Sequence, residues 1–473
     1  MALTNLNIEV TQMAVGYGHY LAIGTDGALY SWGLNNHGQL GHGDKVNRSN
    51  PTKVGNKTDW TQIACGDYHS VALDSRGIAY GFGFNNNAQA GVGQYVGNSH
   101  TGIGGTNSTS DIIFPTQGFS TSSNSDLSTM NGTDYGGAAL IKAAANYTVI
   151  DYIFPGGNAF TTSFSLGGTW VYGNSFVFDE IDNLTAGPNA IYSERRHIAN
   201  LRDGSDSDSG RIGGYATKVL RNISKCEISR NFIAVTTGTS GIDCLGNLPL
   251  SMVTKPTITA PNGAAGDKKA IADNEWDSGS GPRKGLFGVG PQYGVDTVQN
   301  FMTVRTQGWE RLRRAEGSVN ANNFSGPVDN TNYIDFGVGD DFILAIDSEN
   351  RLHGMTFATS NGTEIPSTSV GNFGVQVLRN NLINPNNRYV IHGMALIDSS
   401  RRWLSVSCGA KHAIISDVDG NIFSIGNNRY GQLGRAYNNL GNITEIAQLQ
   451  SPANTSGFNI HACGPQASLI AKS

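Results

Sequence analysis

The sequence predicts an all-β chain assembled from repeated hairpins, on three observations. The first is composition: 62 of 473 residues are glycine, 15% are charged and 38% are hydrophobic. That balance suits short strands joined by many turns and long polar loops, and does not describe a helical protein. The second is self-similarity, a pattern that returns after about 50 residues near the N-terminus and reappears near the C-terminus. The third is the grammar of one copy. An alternating apolar run, a tight turn and an aromatic-rich returning run together read as a β-hairpin.

The first copy runs from Ala14 through Gly16, His19 and Ile23, turns at Asp26-Gly27 and returns through Leu29, Tyr30, Trp32 and Gly33. The second runs from Ala64 through Gly66, His69 and Leu73, turns at Arg76-Gly77 and returns through Ala79, Tyr80, Phe82 and Gly83. A third clear copy contains Gly409, His412 and Ile415, the turn Asp419-Gly420, and Ile422 to Gly426. Gly16, Gly66 and Gly409 suit places where backbones crowd or φ is positive. A turn-rich element follows the hairpin at Asn35–Gly41 and again at Asn427–Gly434.

Weaker copies are placed by the same pattern. One spans 153–174, with Gly157 to Phe164 as its strand, Gly167-Gly168 as its turn and Trp170 to Gly173 returning. Others lie at 224–247, with Cys226, Phe232 and Cys244, and at 335–355, with Gly339, Phe342 and Leu352. A half-copy at 459–471 ends the chain. With the hairpins near 14–41, 64–93 and 406–434 this makes six and a truncated seventh, one domain over residues 1–473.

The runs His19-Tyr-Leu-Ala-Ile, Asp26-Gly-Ala-Leu-Tyr-Ser-Trp-Gly and Asn35-Asn-His-Gly-Gln-Leu-Gly resemble the repeats of the regulator-of-chromosome-condensation family. That resemblance implies a seven-bladed β-propeller. The truncated last copy then expects residues 1–13 to supply a missing strand and close the ring, which removes exposed sheet edges. Between the hairpins lie long insertions rich in Gly, Asn, Ser and Thr, at 94–150, 175–222, 248–333 and 356–403. Ordering so much polar chain has a large entropic cost, which contacts with a partner or another copy would offset.

The net charge of −5 gives no general attraction to nucleic acid or to an anionic membrane. Met1 to Asn5 lacks the basic start and apolar run of a signal peptide, and no apolar stretch reaches the ~18 to 20 residues that span a bilayer. The Asn-x-Ser/Thr triplets at Asn222 and Asn361 are chance occurrences in an Asn-rich chain. The expected location is a virion or a cytoplasm.

No site residue for catalysis, cofactor or metal emerges. Cys65, Cys226, Cys408 and Cys463 share one repeat position and Cys244 lies on a returning strand, so all read as small core residues and not as disulfide or zinc partners. His19, His69 and His412 share another position, where Phe160 and Phe342 substitute, so they read as packing. With Trp32, Gly33 and Gly426 they are structural marks of the repeat. His37 and His42 are close in a turn without a third ligand. The acidic run Asp203 to Gly210 invites a calcium reading, but counting from Asp206 the closing position holds Thr217 in place of Glu. Gly285 to Gly290 lacks the helix and Lys-Ser/Thr of a phosphate loop. A basic segment from Arg305 to Arg314, with Trp309, Arg311, Arg313 and Arg314, reads first as an ordinary solvated face, with a short amphipathic helix touching a partner or nucleic acid as its alternative.

Fold alone does not name function. The charge-poor, polar composition favours a non-enzymatic interaction or structural protein within a large assembly, such as a tail, decoration or receptor-facing component of a bacteriophage virion. Its partners would be other proteins, as assembly subunits. The resembled family also includes an exchange factor for a small nuclear GTPase that binds chromatin. Its wedge-like hairpin, acidic face and basic arm find no residue-by-residue match here. An enzyme using the central channel is the remaining alternative.

Overall fold

The computed structural model describes residues 8–85, 89–91, 111–117, 137–153, 168–173, 193–197, 215–219, 224–230, 232–236, 240–249, 303–305, 310–314, 328–340, 342–356, 377–380, 388–391, 393–435, 442–449 and 458–472. These residues contain strands and no helix. The chain divides into two compact units, one holding 1–175, 181–223 and 457–473 and the other 176–180 and 224–456.

In the first unit, β1 (Val10–Val15), β2 (His19–Gly24), β3 (Leu29–Gly33) and β4 (Arg48–Lys53) form an antiparallel sheet in chain order. The next sheet repeats it with β5 (Trp60–Cys65), β6 (His69–Asp74), β7 (Ala79–Gly83) and β8 (Ile112–Gln117). A third sheet is built from β9 (Gly137–Ala144), β10 (Tyr147–Ile153), β11 (Gly168–Gly173), β12 (Ser193–His197) and β13 (Tyr215–Val219), in the order β12-β13-β11-β10-β9.

The second unit opens with β14 (Lys225–Ile228), β15 (Phe232–Thr236) and β16 (Asp243–Pro249), flanked by β17 (Thr303–Arg305) and β18 (Glu310–Arg311). There follow β19 (Tyr333–Val338), β20 (Phe342–Asp347) and β21 (Leu352–Thr356). A separate hairpin of β22 (Val377–Asn380) and β23 (Arg388–Ile391) precedes β24 (Ala395–Asp398), which pairs back onto β21. The last sheet of this unit is β25 (Trp403–Cys408), β26 (His412–Asp417), β27 (Ile422–Asn427) and β28 (Asn442–Gln448). The chain ends on the hairpin β29 (Ile460–Cys463) and β30 (Ser468–Ala471), which belongs to the first unit.

Sheets pack face to face through their first strands, as propeller blades do: β1 beside β5 and β5 beside β9 in the first unit, β14 beside β19 and β19 beside β25 in the second. The middle strands β6, β20 and β26 are buried along their whole length. Covered on both faces, they read as near-continuous small and apolar runs instead of a clean alternation. Leu21, Trp60, Val54 and Phe82 fill one seam of the first unit, and Phe342, Trp403, Ile415 and Phe423 fill one of the second. Of the outermost strands, β4 is polar and largely exposed, while β8 begins Ile-Ile-Phe and buries Ile112 and Thr116. Two of them contain proline, Pro51 and Pro115, and an outer strand tolerates the missing N–H.

Three sequence expectations change. The third hairpin is not Gly157 to Phe164, which lies outside the described residues. Its strands are Gly137–Ala144 and Tyr147–Ile153, and Trp170 returns opposite Ile150. Tyr147 takes the place of the repeat histidine, opposite Gly173 as His69 is opposite Gly83. That change hid the copy. The four insertions also hold strands of the sheets or a hairpin of their own, β8 to β10, β12 and β13, β17 and β18, and β22 to β24. Short strands separated by long polar stretches leave a sequence pattern little periodicity to find.

Finally, Val10 to Met13 pair with β2 as part of β1, so they do not complete the C-terminal hairpin by hydrogen bonding. Instead Val10, Met13 and Val15 pack against Ala462, Ile460 and Leu469. A Cβ on Gly464 would meet the Val15 carbonyl at 2.6 Å, much as one on Gly16 would meet that of Gly66 at 2.7 Å. Residues 1–7 lie outside the described residues.

Candidate protein-interaction face

In three of the inner hairpins the turn between the first and second strands ties adjacent sheets together through the backbone. The Tyr17 N–H donates to the Asp67 carbonyl at 3.1 Å, and the Asp67 N–H donates to that of Ala145 at 2.8 Å. In the second unit the Asp340 N–H donates to Ala410 in the same way, at 2.8 Å. This linkage fixes the backbone under Tyr17 and Tyr68, whose half-buried rings lie 5.6 Å apart at 56°.

The loop after β3 folds over this end on its own side chains. Buried Asn35 accepts the Leu40 N–H at 2.9 Å, and the Gln39 side chain accepts the His37 N–H at 2.8 Å. The Gly43 N–H donates to the Ile113 carbonyl, which seats the loop on β8. His37 is thereby brought edge-on to Tyr68, at 5.5 Å, and to Phe84, at 4.9 Å. Its Nδ1 lies 3.2 Å from both Asp111 oxygens, and Lys45 Nζ reaches the same carboxylate at 2.5 Å. Tyr17, His37, Tyr68 and Phe84 thus form an aromatic ledge, each side chain partly open to solvent, pinned by one carboxylate. The loop after β27 repeats the device. Asn428 accepts the Leu433 N–H, Gln432 accepts the Tyr430 N–H, and Tyr430, in the place of His37, is 55% exposed.

The basic segment is used differently from the sequence expectation. It is strand and bridge, not helix: Glu310–Arg311 pairs with β16, and Arg313 bridges Val328. Leu312 is fully buried between its neighbours, which spaces the arginines as an extended chain does. The Arg311 guanidinium reaches both oxygens of Asp243 and the Ser240 carbonyl. Arg314 faces Asp329 at 3.5 Å and Thr331 at 3.4 Å. Trp309, the acidic run 203–210 and the glycine run 285–290 lie outside the described residues.

The repeat marks serve packing. Trp32 stacks on Tyr20 at 5.4 Å. The Gly16, Gly66 and Gly409 N–H groups donate to the carbonyls of His19, His69 and His412. In the second unit His412 keeps the histidine position opposite Gly426, and Phe342 and Phe232 take it on the other two sheets, opposite Thr356 and Gly246. The five cysteines are unbridged, and burial pushes the Cys65 thiol up. His37 and His42 are held apart by separate partners, His42 lying 2.9 Å from Ser31 Oγ. Among the described residues no three His, Cys, Asp or Glu side chains gather as a metal site.

One feature escaped the sequence pattern. Buried Asp74, Asp347 and Asp417 stand at the ends of the middle strands and accept the N–H groups of their turns, as Asp347 does from Glu349 and Arg351. Burial pushes Asp74 up, but hydrogen bonds from Lys57 and Arg76 outweigh it and hold the carboxyl below its ordinary range.

Sequence models described as the regulator of chromosome condensation (RCC1) repeat match residues 26–73 and, separately, 10–39, 60–89 and 403–432. Among solved structures, Prp20p from Saccharomyces cerevisiae is 14% identical, with a TM-score of 0.55 over 98% of this chain and 82% of that one. Yeast RCC1 (Prp20) bound to Kap60 is 14% identical, with a TM-score of 0.56 over 98% and 79% of the two chains. Human WBSCR16 is 13% identical, with a TM-score of 0.53 over 99% and 88%.

Proposed function

We propose, for a chain that is an RCC1-like repeat β-propeller, a non-enzymatic role as a protein-interaction platform whose contact surface includes the Tyr17–His37–Tyr68–Phe84 ledge. The ledge itself carries this reading. Aromatic side chains held rigid on backbone, with a charged pair at the margin, are the composition of binding hot spots. The same reading counts seven blades, six sheets and the C-terminal hairpin completed by residues ahead of Val10.

The test is photo-crosslinking in the native source material, with a benzophenone side chain at Tyr68 and a control at exposed Thr52 on β4. Adducts to a defined protein from Tyr68 alone support the platform. Equal yields from both positions, or none, overturn it. Asp111→Asn sharpens the test. A partly exposed pair is worth at most about 1 kcal/mol, so the thermal midpoint should hardly move while crosslinking falls as His37 loses its anchor.

Two finer readings sort the partner. The similarity to Prp20p, whose structure is described with binding to Gsp1p and histones, favours a small GTPase. Accelerated nucleotide release at substoichiometric chain would support that. The charge-poor composition speaks for an assembly component such as a virion subunit. Co-sedimentation with a large particle, against migration at 50.1 kDa, separates the two.

A further inference from the structure

Two of the repeat histidines do more than fill space. His19 on β2 and His69 on β6 are 0% and 1% exposed. His19 Nε2 lies 3.1 Å from Ser70 Oγ of the next sheet, and Ser70 in turn donates to the Gln39 carbonyl at 2.8 Å. The arrangement recurs one sheet on. His69 Nε2 lies 2.9 Å from Thr148 Oγ1, which donates to the Gln89 carbonyl at 2.5 Å. Because each hydroxyl spends its proton on a carbonyl, it must accept from Nε2–H, which fixes the neutral tautomer. His19 Nδ1 then has no hydrogen-bond partner and packs over Gly16, where a Cβ would sit 2.4 Å away. His69 packs over Gly66 at the same distance.

We propose that these relays are acid-sensitive latches, and that protonating His19 and His69 opens the seams between the first and second and the second and third sheets. A second proton would create an Nδ1–H at His19 with nothing to receive it, at the cost of a buried unpaired donor and charge. In the second unit β15 and β20 carry Phe232 and Phe342 at the same position and cannot respond, while β26 keeps His412.

The groups facing the rings compensate only in part, since burial outweighs the backbone hydrogen bonds at His69 and Tyr147 that favour the charged forms. They are Ser70, Thr148, the Gln39 and Gln89 carbonyls, the backbone of Tyr147, each other, and Cys65, which shares Ser70 and whose thiol burial keeps protonated. Asp67, on the turn between Cys65 and His69, is the nearest carboxylate along the chain.

Burial holds both imidazoles at about 3, against an ordinary 6.5. The open form therefore binds protons that the closed form refuses between those values. The latch is fully shut above about pH 6.5 and weakens as pH falls, by up to about tenfold in the opening equilibrium per histidine per pH unit. Asp74 and Asp347 are held below the ordinary carboxylate range and stay ionised at about pH 5, so they do not mimic the effect.

Hydrogen exchange on the full chain, at about pH 7.5 and about pH 5 and corrected for intrinsic rates, tests this. Amides of β2 and β6 should lose protection at least about tenfold at the lower pH, while those of β15 and β20 keep theirs. The double variant His19→Phe/His69→Phe should abolish the loss. If it does not fold, His19→Gln/His69→Gln retains a donor without the titration. Uniform loss across all four strands, or an acid response unchanged in the variant, overturns the proposal.

Discussion

Trp403→Ala is expected to lower the unfolding free energy by about 3–5 kcal/mol, read from the midpoint of a guanidinium or urea titration. The indole is completely buried. It meets Phe423 edge to face at 5.1 Å and 78°, and shares its cluster with Phe342, Leu352 and Ile415. These neighbours come from both sheets of the seam, so none can collapse into the space without opening its own side. The indole Nε1 has no hydrogen-bond partner, while the backbone N–H that binds the Asn350 carbonyl survives replacement by alanine or phenylalanine. Trp403→Phe should therefore cost less than about 1.5 kcal/mol, since it removes volume but no polar contact. Equal losses for alanine and phenylalanine would show that shape in the seam matters less than indole chemistry.

Gly83→Ala should cost about 3 kcal/mol or more, through strain at a left-handed backbone position together with overpacking. Its φ is +98°, and a Cβ would sit 2.6 Å from the Tyr68 carbonyl and 2.9 Å from His69 Cα. That carbonyl is held by the Phe84 N–H at 2.8 Å, so it cannot retreat. Gly33 and Gly426 meet the same backbone at the same step of their hairpins. Gly55, at φ +60° with nothing within 4 Å, is the control. Alanine there should cost only about 1–2 kcal/mol, the price of left-handed backbone alone. A Gly83 variant no less stable than the Gly55 variant would refute the crowding.

What was legible in the sequence is what backbone geometry demands. Gly33, Gly83 and Gly426 recur because no other residue fits, and Gly16, Gly66 and Gly339 because the ring at the histidine position lies across them. The copy containing Tyr147 was illegible for two separate reasons. Tyr147 replaced histidine, and residues 154–167 separate the middle strand from its return at Gly168. The ledge was half visible. His37 stood out as a titratable residue in a turn, but its partner Asp111 lies 74 residues away, and only the fold of the loop onto β8 brings them together. Asp74 and Asp347 escaped notice because an aspartate before a turn looks solvent-facing until the sheets cover it. The Arg311 segment looked free for the opposite reason. Its counter-charge, Asp243, is 68 residues earlier in the chain.

Pro51 and Pro115 bear on how copies of this protein behave when concentrated. An unpaired outer strand is a template that a neighbouring molecule can extend, and such extension is how soluble β-proteins drift into fibres. A proline on that rim withholds the donor that the newcomer needs. Copies brought side by side at β4 or β8 find the hydrogen-bond ladder interrupted at the proline, which favours contacts that form and release over merging two sheets into one.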